Sequence, residues 1–191
     1  MIIFDDVYFS YEDQPVLNGV SLALEPGETM AVLGGSGSGK TTIIQLLLGF
    51  VKPDKGHIVI DGLDITSLRE HEMIDIRRQM GIVFQFGALF DSLTIGDNIA
   101  FPLRELRTME EDAIIEQVEY VIQSVGLDVS VLDQMPSELS GGMNRRVAVA
   151  RAIVSQPRIM LYDEPTTGLD PHACQVVCDL VNQMRMDYDV T

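Results

Sequence analysis

The sequence Gly34-Gly35-Ser36-Gly37-Ser38-Gly39-Lys40-Thr41 fits the pattern G-x-x-x-x-G-K-[ST] of a phosphate-binding loop. Residues 30–33 before it (Met-Ala-Val-Leu) form an apolar run without polar alternation, which predicts a strand buried on both faces. After the loop, the pattern predicts a helix from about residue 40 to 48, ended by Gly49. A strand, a glycine-rich loop and a helix in this order are the context that the motif requires.

The loop predicts a site for nucleotide phosphates. Glycines let the backbone curl so that successive N–H groups point inward at phosphate oxygens, and the helix N-terminus adds the positive end of its dipole. The Lys40 ammonium can reach the β- and γ-phosphates, and the Thr41 hydroxyl can ligate Mg²⁺. Alone, the motif leaves kinases, GTPases, helicases and transporters open, beside an ordinary flexible turn. The predicted cofactor-binding residues here are Gly34, Gly35, Ser36, Gly37, Ser38, Gly39, Lys40, Thr41 and Thr42.

Two adjacent carboxylates follow a second apolar run, Ile-Met-Leu-Tyr at residues 159–162, which predicts a further buried strand. The end of a buried parallel strand is where α/β folds bind ligands. Asp163 is therefore predicted to hold Mg²⁺, directly or through water, and Glu164 to orient and polarise an attacking water as general base. The alternative is an ordinary acidic loop, Asp-Glu-Pro.

A third motif, Leu139-Ser140-Gly141-Gly142-Met143, precedes a helix predicted over residues 142–155, with Pro157 just beyond its end. Ser140 fits the N-cap position, and the glycine amides after it can face outward. These groups predict a second anion site at a helix N-terminus. Taken alone, a common Ser-Gly-Gly turn is the simpler explanation.

Composition restricts the possible ligands and partners. The 191-residue chain has a net charge of −16, so non-specific nucleic-acid binding is not expected, and an anionic ligand must be held by local geometry. No apolar run approaches the roughly 20 residues of a membrane span, and the N-terminus lacks the basic region of a secretory signal. We therefore expect the chain on the cytoplasmic side. Cys174 and Cys178, near His172, are expected to be reduced packing thiols rather than metal ligands.

The remaining pattern predicts an α/β fold with a helical insertion. From residue 91 the chain becomes helical: Thr108 and Glu111 fit a capping box, and apolar residues then recur at helical spacing up to Gly126. Asp170-Pro171 opens a last helix, with the aspartate as N-cap. Further strands are expected over residues 2–9, 16–24, 58–60 and 81–84.

The three motifs, in this order, resemble those of the ATP-binding subunit of an ABC transporter, over essentially the whole chain. The resemblance implies a P-loop NTPase (RecA-like) core with an N-terminal antiparallel β subdomain and an inserted helical subdomain. It implies one domain over residues 1–191, truncated at its C-terminus, with the α/β core at 1–90 and 156–191 and the helical subdomain at 91–155. ATP and Mg²⁺ are the implied cofactors.

The resemblance also assigns roles to single residues. Tyr11 matches the family's adenine-stacking aromatic residue, and Gln85 matches the glutamine that contacts Mg²⁺ and links the nucleotide to the transmembrane partner. Thr167-Gly168-Leu169-Asp170 resembles the family's D-loop, which makes Asp170 a further nucleotide-site residue. The implied catalytic residues are thus Glu164 and Gln85, and the implied metal ligands are Thr41, Gln85 and Asp163.

The resemblance further implies a dimer of two copies arranged head to tail. Each ATP would lie between the phosphate-binding loop of one copy and the amides of Ser140, Gly141 and Gly142 of the other. Loss of the γ-phosphate would open the dimer, and a bound transmembrane permease would convert that cycle into movement of a substrate.

The residues around and after Gln85 resemble one group within this family more specifically. Residues 84–94 and 98–105, with 142–148, resemble the ATPase of MCE-type lipid transporters, the maintenance-of-lipid-asymmetry group. This implies a permease and an MCE-domain lipid-binding protein as partners, no nucleic acid, and a place on the cytoplasmic face of the inner (plasma) membrane. An apolar loop is expected to form part of a groove for a partner helix. Its residues are Phe86, Ala88, Leu89, Phe90 and Leu93, of which Leu89 and Leu93 fit core packing equally well.

Three alternatives stay open beside lipid transport. Transporters of amino acids, metal chelates or drugs share every catalytic motif. A soluble ABC protein acting in DNA repair or on ribosomes is disfavoured by the acidic excess. A non-catalytic partner subunit is disfavoured because Lys40, Thr41, Asp163 and Glu164 are all present.

One feature of the family is missing from this sequence. The family carries a histidine, in contact with the γ-phosphate, at the end of the strand that follows residues 189–191. His57, His71 and His172 lie elsewhere. We therefore expect the chain as given to bind ATP and to hydrolyse it poorly.

Overall fold

The structure is a computed structural model that describes residues 1–85, 87–188 and 190–191. The chain divides into two units, residues 1–79 with 190–191, and residues 80–189. The first unit holds a four-stranded sheet and the second a two-stranded sheet. The boundaries that the sequence places at residues 90 and 156 stay predictions.

The first unit is built on an antiparallel sheet. Its strands are β1 (Ile2–Tyr11), β2 (Gln14–Leu24), β3 (Lys55–Ile60) and β4 (Leu63–Asp64), in the order β2-β1-β3-β4. The expected N-terminal antiparallel subdomain is confirmed, together with the strands predicted over residues 2–9, 16–24 and 58–60.

Strand β1 buries every second side chain both before and after a shift in its register with β3. Ile2 and Phe4 are buried, and after a register shift Val7 and Phe9 are buried. Gly56 lies on β3 opposite this shift with a φ of 87°, and a Cβ there would overlap the carbonyl oxygens of β1. The alternation of buried and exposed residues along β1 therefore shifts by one position at the bulge while the same face of the sheet stays buried. Glycine permits this because it leaves room for the bulged backbone.

The first unit also contains α1 (Lys40–Leu47) and α2 (Glu70–Arg77). Helix α1 confirms the helix predicted after the glycine-rich loop. The sequence pattern does not predict α2, because its one buried residue is Met73 and its N-cap is Arg69, a residue with no intrinsic capping preference. Glu72 supplies the missing cap by accepting hydrogen bonds from the Arg69 guanidinium and backbone amide, which lowers the pKa of Glu72 to about 2.

The strand predicted over residues 30–33 is wrong. Residues 28–35 have no regular secondary structure, and Leu33 is 91% exposed. The preceding turn is confirmed, since the Glu28 amide donates to the Glu25 carbonyl at 3.1 Å. An apolar run forms a strand only where a neighbouring strand accepts its backbone hydrogen bonds, and this run pairs with none of the described strands.

The second unit contains a parallel strand pair and four α-helices among its described residues. Strand β5 (Met80–Val83) pairs with β6 (Ile159–Tyr162), so the predictions for residues 81–84 and 159–162 are confirmed. Helices α4, α5 and α6 confirm the helical spacing before Gly126, the helix after the Ser-Gly-Gly motif, and the helix that opens at Pro171. The helices are α3 (Ile95–Leu106), α4 (Glu111–Ser124), α5 (Gly141–Ile153) and α6 (Pro171–Tyr188).

Apolar side chains of α3, α4 and α5 form the core of the second unit. The core also encloses a polar residue, Asn98 on α3, which is fully buried. Its amide accepts from the Phe90 backbone amide at 2.7 Å and donates to the carbonyls of Phe90, Leu93 and Thr94. Because every hydrogen-bonding group of Asn98 is satisfied, it fixes the segment that enters α3 rather than destabilising the core. The buried apolar residues include Ile95, Ile99, Leu103, Ile114, Val118, Val121, Ile122 and Val147.

The capping box predicted from Thr108 and Glu111 is wrong. The N-cap of α4 is Glu110, which makes no side-chain capping bond. The Glu111 carboxylate instead accepts hydrogen bonds from the Arg104 guanidinium, which also donates to Asp97. A capping box with Thr108 as N-cap would need the Glu111 carboxylate at position N3. The ion pair with Arg104 of α3 holds that carboxylate instead.

We predict that Thr94→Ala lowers the free energy of unfolding by about 1 kcal/mol, whereas Thr108→Ala changes it by less than about 0.5 kcal/mol. Thr94 is the N-cap of α3, where its hydroxyl accepts from the Asp97 amide at 3.1 Å, while Thr108 is exposed between helices. Urea denaturation of both variants measures the difference. Equal losses would contradict the assignment of the caps.

Candidate functional site

The glycine-rich loop lies in the first unit and is exposed from Gly34 to Ser38. Gly39 is the N-cap of α1 and has a φ of 93°, and a Cβ there would lie 2.8 Å from a methyl group of Leu17. A Cβ at Gly35 or Gly37 would meet no atom within 4 Å. The loop therefore packs tightly where it enters the helix and stays open where a ligand would approach.

Lys40 folds back over the loop. Its ammonium donates to the carbonyl oxygens of Gly34 and Gly35, at 3.0 Å each. The first intrahelical hydrogen bond runs from the Ile43 amide to the Gly39 carbonyl, so the amides of residues 40–42 lie in the first turn, where a helix attracts anions. The Thr41 side chain is exposed, whereas that of Thr42 is buried, which leaves Thr42 only its backbone amide to offer.

Tyr11 lies beside α1 in the same unit. Its hydroxyl donates to the side-chain oxygen of Gln45 at 2.5 Å, and its ring meets the ring of Phe9 edge to face at 4.8 Å. The Tyr11 side chain is 46% exposed. One end of β1 and the middle of α1 thus orient an aromatic ring that stays partly exposed.

The second unit brings Gln85 and Glu164 together. Because β5 and β6 are parallel and in register, their carboxyl ends lie at one edge, and the Asp163 amide continues the ladder by donating to the Val83 carbonyl at 2.9 Å. The Glu164 carboxylate accepts from the Gln85 amide at 3.0 Å and from the Thr167 hydroxyl at 3.1 Å. Glu164 has a φ of 48°, a left-handed conformation that is uncommon outside glycine and that clusters at functional sites.

The predicted N-caps of α5 and α6 are confirmed. The Ser140 hydroxyl accepts from the Met143 amide at 3.2 Å, so Ser140 is the N-cap of α5. The Asp170 carboxylate accepts from the amides of Ala173 and His172, which lowers the pKa of Asp170. The nucleotide contacts expected of Ser140, Gly141, Gly142 and Asp170 stay predictions.

The sequence did not predict the contacts that two further residues make beside Gln85 and Glu164. Thr167 donates to Glu164, and its position three residues after the acid is a signal for such a contact. Arg145 is 4% exposed and donates to the carbonyls of Phe84 and Thr167, at 2.8 and 3.2 Å. The sequence carries no signal for this burial, because Arg145 and Arg146 are adjacent and chemically identical.

The two cysteines differ in their surroundings. The Cys174 thiol lies 3.5 Å from the Thr166 carbonyl and is partly buried, as expected for a packing thiol. Cys178 is exposed, so the expectation that it packs is wrong. Across residues 1–85, 87–188 and 190–191, no three His, Cys, Asp or Glu side chains are grouped as a metal site.

The apolar loop after Gln85 is partly exposed. Phe90 is 43% exposed and packs on the ring of Phe101 at 4.9 Å, while Leu89 and Leu93 are half-buried. Phe86, which the sequence assigned to this loop, lies outside the described residues. Within the part of the chain that the structure covers, no helix combines the length and apolar character needed to cross a bilayer.

Taken separately, each unit offers residues of the chemical kinds that Mg²⁺–ATP needs. Mg²⁺ prefers oxygen ligands, and the candidates are a hydroxyl in the first unit and a carboxylate and an amide in the second: Thr41, Asp163 and Gln85. The first turn of α1 has no acidic residue that would compete with phosphate. The exposed glycines also leave room for a phosphate to approach the backbone amides.

Residues 17–167 match the sequence model of the ABC transporter family, described as "ABC transporter". The match covers more than half of the chain and contains all three motifs. The chain therefore belongs to the ABC transporter family. Tyr11 and Asp170 lie outside the matched residues.

Three relatives illustrate what the chain resembles. It is 44% identical over 188 residues to "Protein TRIGALACTOSYLDIACYLGLYCEROL 3, chloroplastic" of Arabidopsis thaliana, covering 95% of this chain and 54% of that protein. It is 38% identical over 191 residues to the intermembrane phospholipid transport system ATP-binding protein MlaF of Haemophilus influenzae, covering 100% and 72%. It is 39% identical over 175 residues to the methionine import ATP-binding protein MetN of Photobacterium profundum, covering 92% and 50%.

Two solved structures share the fold over the whole chain. A dimeric ATP-binding cassette in a post-hydrolysis state with ADP and phosphate has a TM-score of 0.88 at 29% identity and covers 100% of this chain and 85% of that one. CbiO1 of Clostridium perfringens, part of an ABC transporter complex, has a TM-score of 0.90 at 30% identity, covering 100% and 75%. The predicted P-loop NTPase fold class is confirmed.

Proposed function

We propose that the complete protein binds Mg²⁺–ATP and hydrolyses it to power a lipid transporter. The observation that carries hydrolysis is the hydrogen bond from Gln85 to Glu164, at the edge where β5 and β6 end. A carboxylate that accepts hydrogen bonds from an amide and a hydroxyl keeps its orientation, which a general base for water needs.

The first unit binds the nucleotide in this proposal. Backbone amides of residues 34–42 donate hydrogen bonds to the phosphate oxygens, and Lys40 exchanges its contacts with Gly34 and Gly35 for the β- and γ-phosphates. Thr41 is exposed, and its hydroxyl would hold the metal ion. The Tyr11 ring stacks on the adenine.

The second unit performs the chemistry. Glu164 takes a proton from the attacking water while Gln85 and Thr167 fix its carboxylate. Asp163 and Gln85 would hold the metal ion, which would supply charge neutralisation for the phosphates when bound. Removing a hydrogen-bond partner of Glu164 would leave the base free to rotate away from the water.

The proposal includes a dimer of two copies arranged head to tail. Ser140 and Gly141 are exposed at the N-terminus of α5, so their amides are accessible to the γ-phosphate of an ATP bound by the second copy. A related cassette forms a dimer in its post-hydrolysis state. Two acidic chains would repel each other without ligand, and the shared ATP would supply the attraction.

The proposed roles predict that one substitution in the full-length protein lowers turnover and that another weakens ATP binding. Glu164→Gln should lower kcat by about 100-fold or more and change the Kd for ATP by less than about 3-fold, because it removes the base and keeps the shape. Lys40→Ala should weaken ATP binding by about 10-fold or more, because it removes a charged donor to phosphate. Calorimetry and phosphate release measure the two effects.

Glu119→Gln is the matched control, since Glu119 is an exposed carboxylate on α4. It should leave kcat and Kd unchanged. Normal turnover in Glu164→Gln would overturn the role of Glu164, and normal ATP affinity in Lys40→Ala would overturn the phosphate site.

A second pair of variants tests adenine stacking. Tyr11→Ala should weaken ATP binding by about 10-fold, as expected for loss of a base–aromatic contact. Tyr11→Phe should stay within about 2-fold of the unsubstituted protein, because it removes only the hydrogen bond to Gln45. Equal affinities for all three proteins would show that Tyr11 does not touch the base.

The proposed cargo is a lipid. Two relatives, at 44% and 38% identity, carry a lipid in their names, whereas a third, at 39% identity, is named as a methionine import protein. The partly exposed aromatic pair of Phe90 and Phe101 offers an apolar surface for a permease helix. We place the protein on the cytoplasmic face of the inner (plasma) membrane, bound to that permease and to an MCE-domain protein.

Purification from gently solubilised native membranes distinguishes the possible cargoes. We expect the full-length protein to bring down a permease together with an MCE-domain protein and bound lipid, identified by mass spectrometry. Recovery of a permease with a solute-binding protein would move the cargo to a small solute and leave the ATPase proposal intact.

A further inference from the structure

Arg145 carries a buried positive charge that the described part of the chain does not pair with an acid. It lies on α5, is 4% exposed, and its Nε has no hydrogen-bond partner. Burial lowers the pKa of the guanidinium, yet arginine stays protonated in proteins. A buried charge without a counter-ion is costly, so two well-placed contacts must compensate for it.

Both contacts of Arg145 reach backbone next to the proposed catalytic residues. One Nη donates to the carbonyl of Phe84, the residue before Gln85, at 2.8 Å. The other Nη donates to the carbonyl of Thr167, whose hydroxyl donates to Glu164. A single planar group thus fixes the backbone on both sides of the hydrogen bond between Gln85 and Glu164.

The same helix also holds the chain beyond Gln85. Arg151 donates to the carbonyls of Gly87 and Ala88, at 2.9 and 2.8 Å. Helix α5 begins immediately after Ser140, the residue proposed to face the ATP of the second copy. Two guanidinium groups therefore connect one rigid element to the backbone before and after residue 85.

We propose that Arg145 is a positioning residue that aligns Gln85 and Glu164 with each other and transmits movements of the Ser140 end of α5 to them. This inference rests on the proposed function. It explains why a buried, unpaired guanidinium is kept at a position where an apolar side chain would pack at lower cost.

The geometry of the side chain makes this role specific to arginine. The guanidinium presents its N–H groups in a fixed fork, so it can donate to two carbonyls from one plane. Lysine offers a point charge at the end of a flexible stem, and we expect it to hold one carbonyl and leave the other without a donor. Methionine fills the space and holds neither.

The test compares Arg145→Lys and Arg145→Met with the unsubstituted full-length protein. We expect Arg145→Met to lower kcat by about 10- to 100-fold, as small displacements of catalytic groups do, and to leave the KM for ATP within about 3-fold. Arg145→Lys should fold normally and recover part of the loss. Arg104→Gln is the matched control: it removes an arginine that pairs with Asp97 and Glu111 on the surface of the same unit, and kcat should stay within about 2-fold.

A double-variant cycle separates positioning from general destabilisation. In a Gln85→Ala background, Arg145→Met should lower kcat by less than about 3-fold further, because the pair that it aligns is already broken. Its effect on Tm should be the same in both backgrounds. Full additivity of the kcat losses would overturn the proposal, and so would a normal kcat in Arg145→Met.

The outcomes also separate this inference from the proposed function. If Glu164→Gln turns over normally, the catalytic assignment fails and the inference fails with it. If Glu164→Gln is inactive while Arg145→Met is fully active, the catalytic assignment stands and only the role of Arg145 is overturned.

Discussion

The parallel pairing of β5 and β6 is the constraint on which the proposed chemistry depends. The two strands are in register from Met80 and Ile159 onward, and one further hydrogen bond, from the Asp163 amide to the Val83 carbonyl, carries the ladder past the strand ends. Two chain segments that are 79 residues apart therefore meet with the separation of adjacent strands. A shift by one residue would turn the side chains of one strand to the other face. It would also separate Gln85 from Glu164.

Helix α5 makes that alignment depend on a third element. Strand pairing alone fixes the backbone up to the strand ends, and beyond them loops are free to move. Arg145 and Arg151 attach the loop after β5 to α5, and Arg145 also attaches the loop after β6. Ser140, the N-cap of the same helix, lies between one and two turns before Arg145. An event at that cap can thus change loop positions without altering the sheet.

Much of the fold follows from local sequence signals, and the failures have identifiable physical causes. Strands β1 and β2 and helices α4 to α6 follow from alternation, helical spacing and caps, which act over a few residues. The run at residues 30–33 is apolar, but whether it pairs depends on distant segments. Helix α2 has no standard N-cap residue in its sequence. Arg69 and Glu72 form its cap together, and a search for standard capping residues misses that pair. Arg145 cannot be distinguished from Arg146 by sequence, since only packing shows which of the two is buried.

The charge of the chain bears on how such a site works. With a net charge of −16, the long-range field opposes an incoming polyanion, so attraction must come from groups in direct contact with it. Backbone amides and one lysine act at hydrogen-bond distance, where salt screens little, whereas the repulsion acts over a Debye length of about 8 Å in physiological salt. The field therefore slows non-specific approach of anions and leaves the bound state nearly untouched. Selectivity for a triphosphate then rests on the shape of the loop between Gly34 and Lys40, because the overall charge of the chain repels every anion and repels the more highly charged ones more strongly.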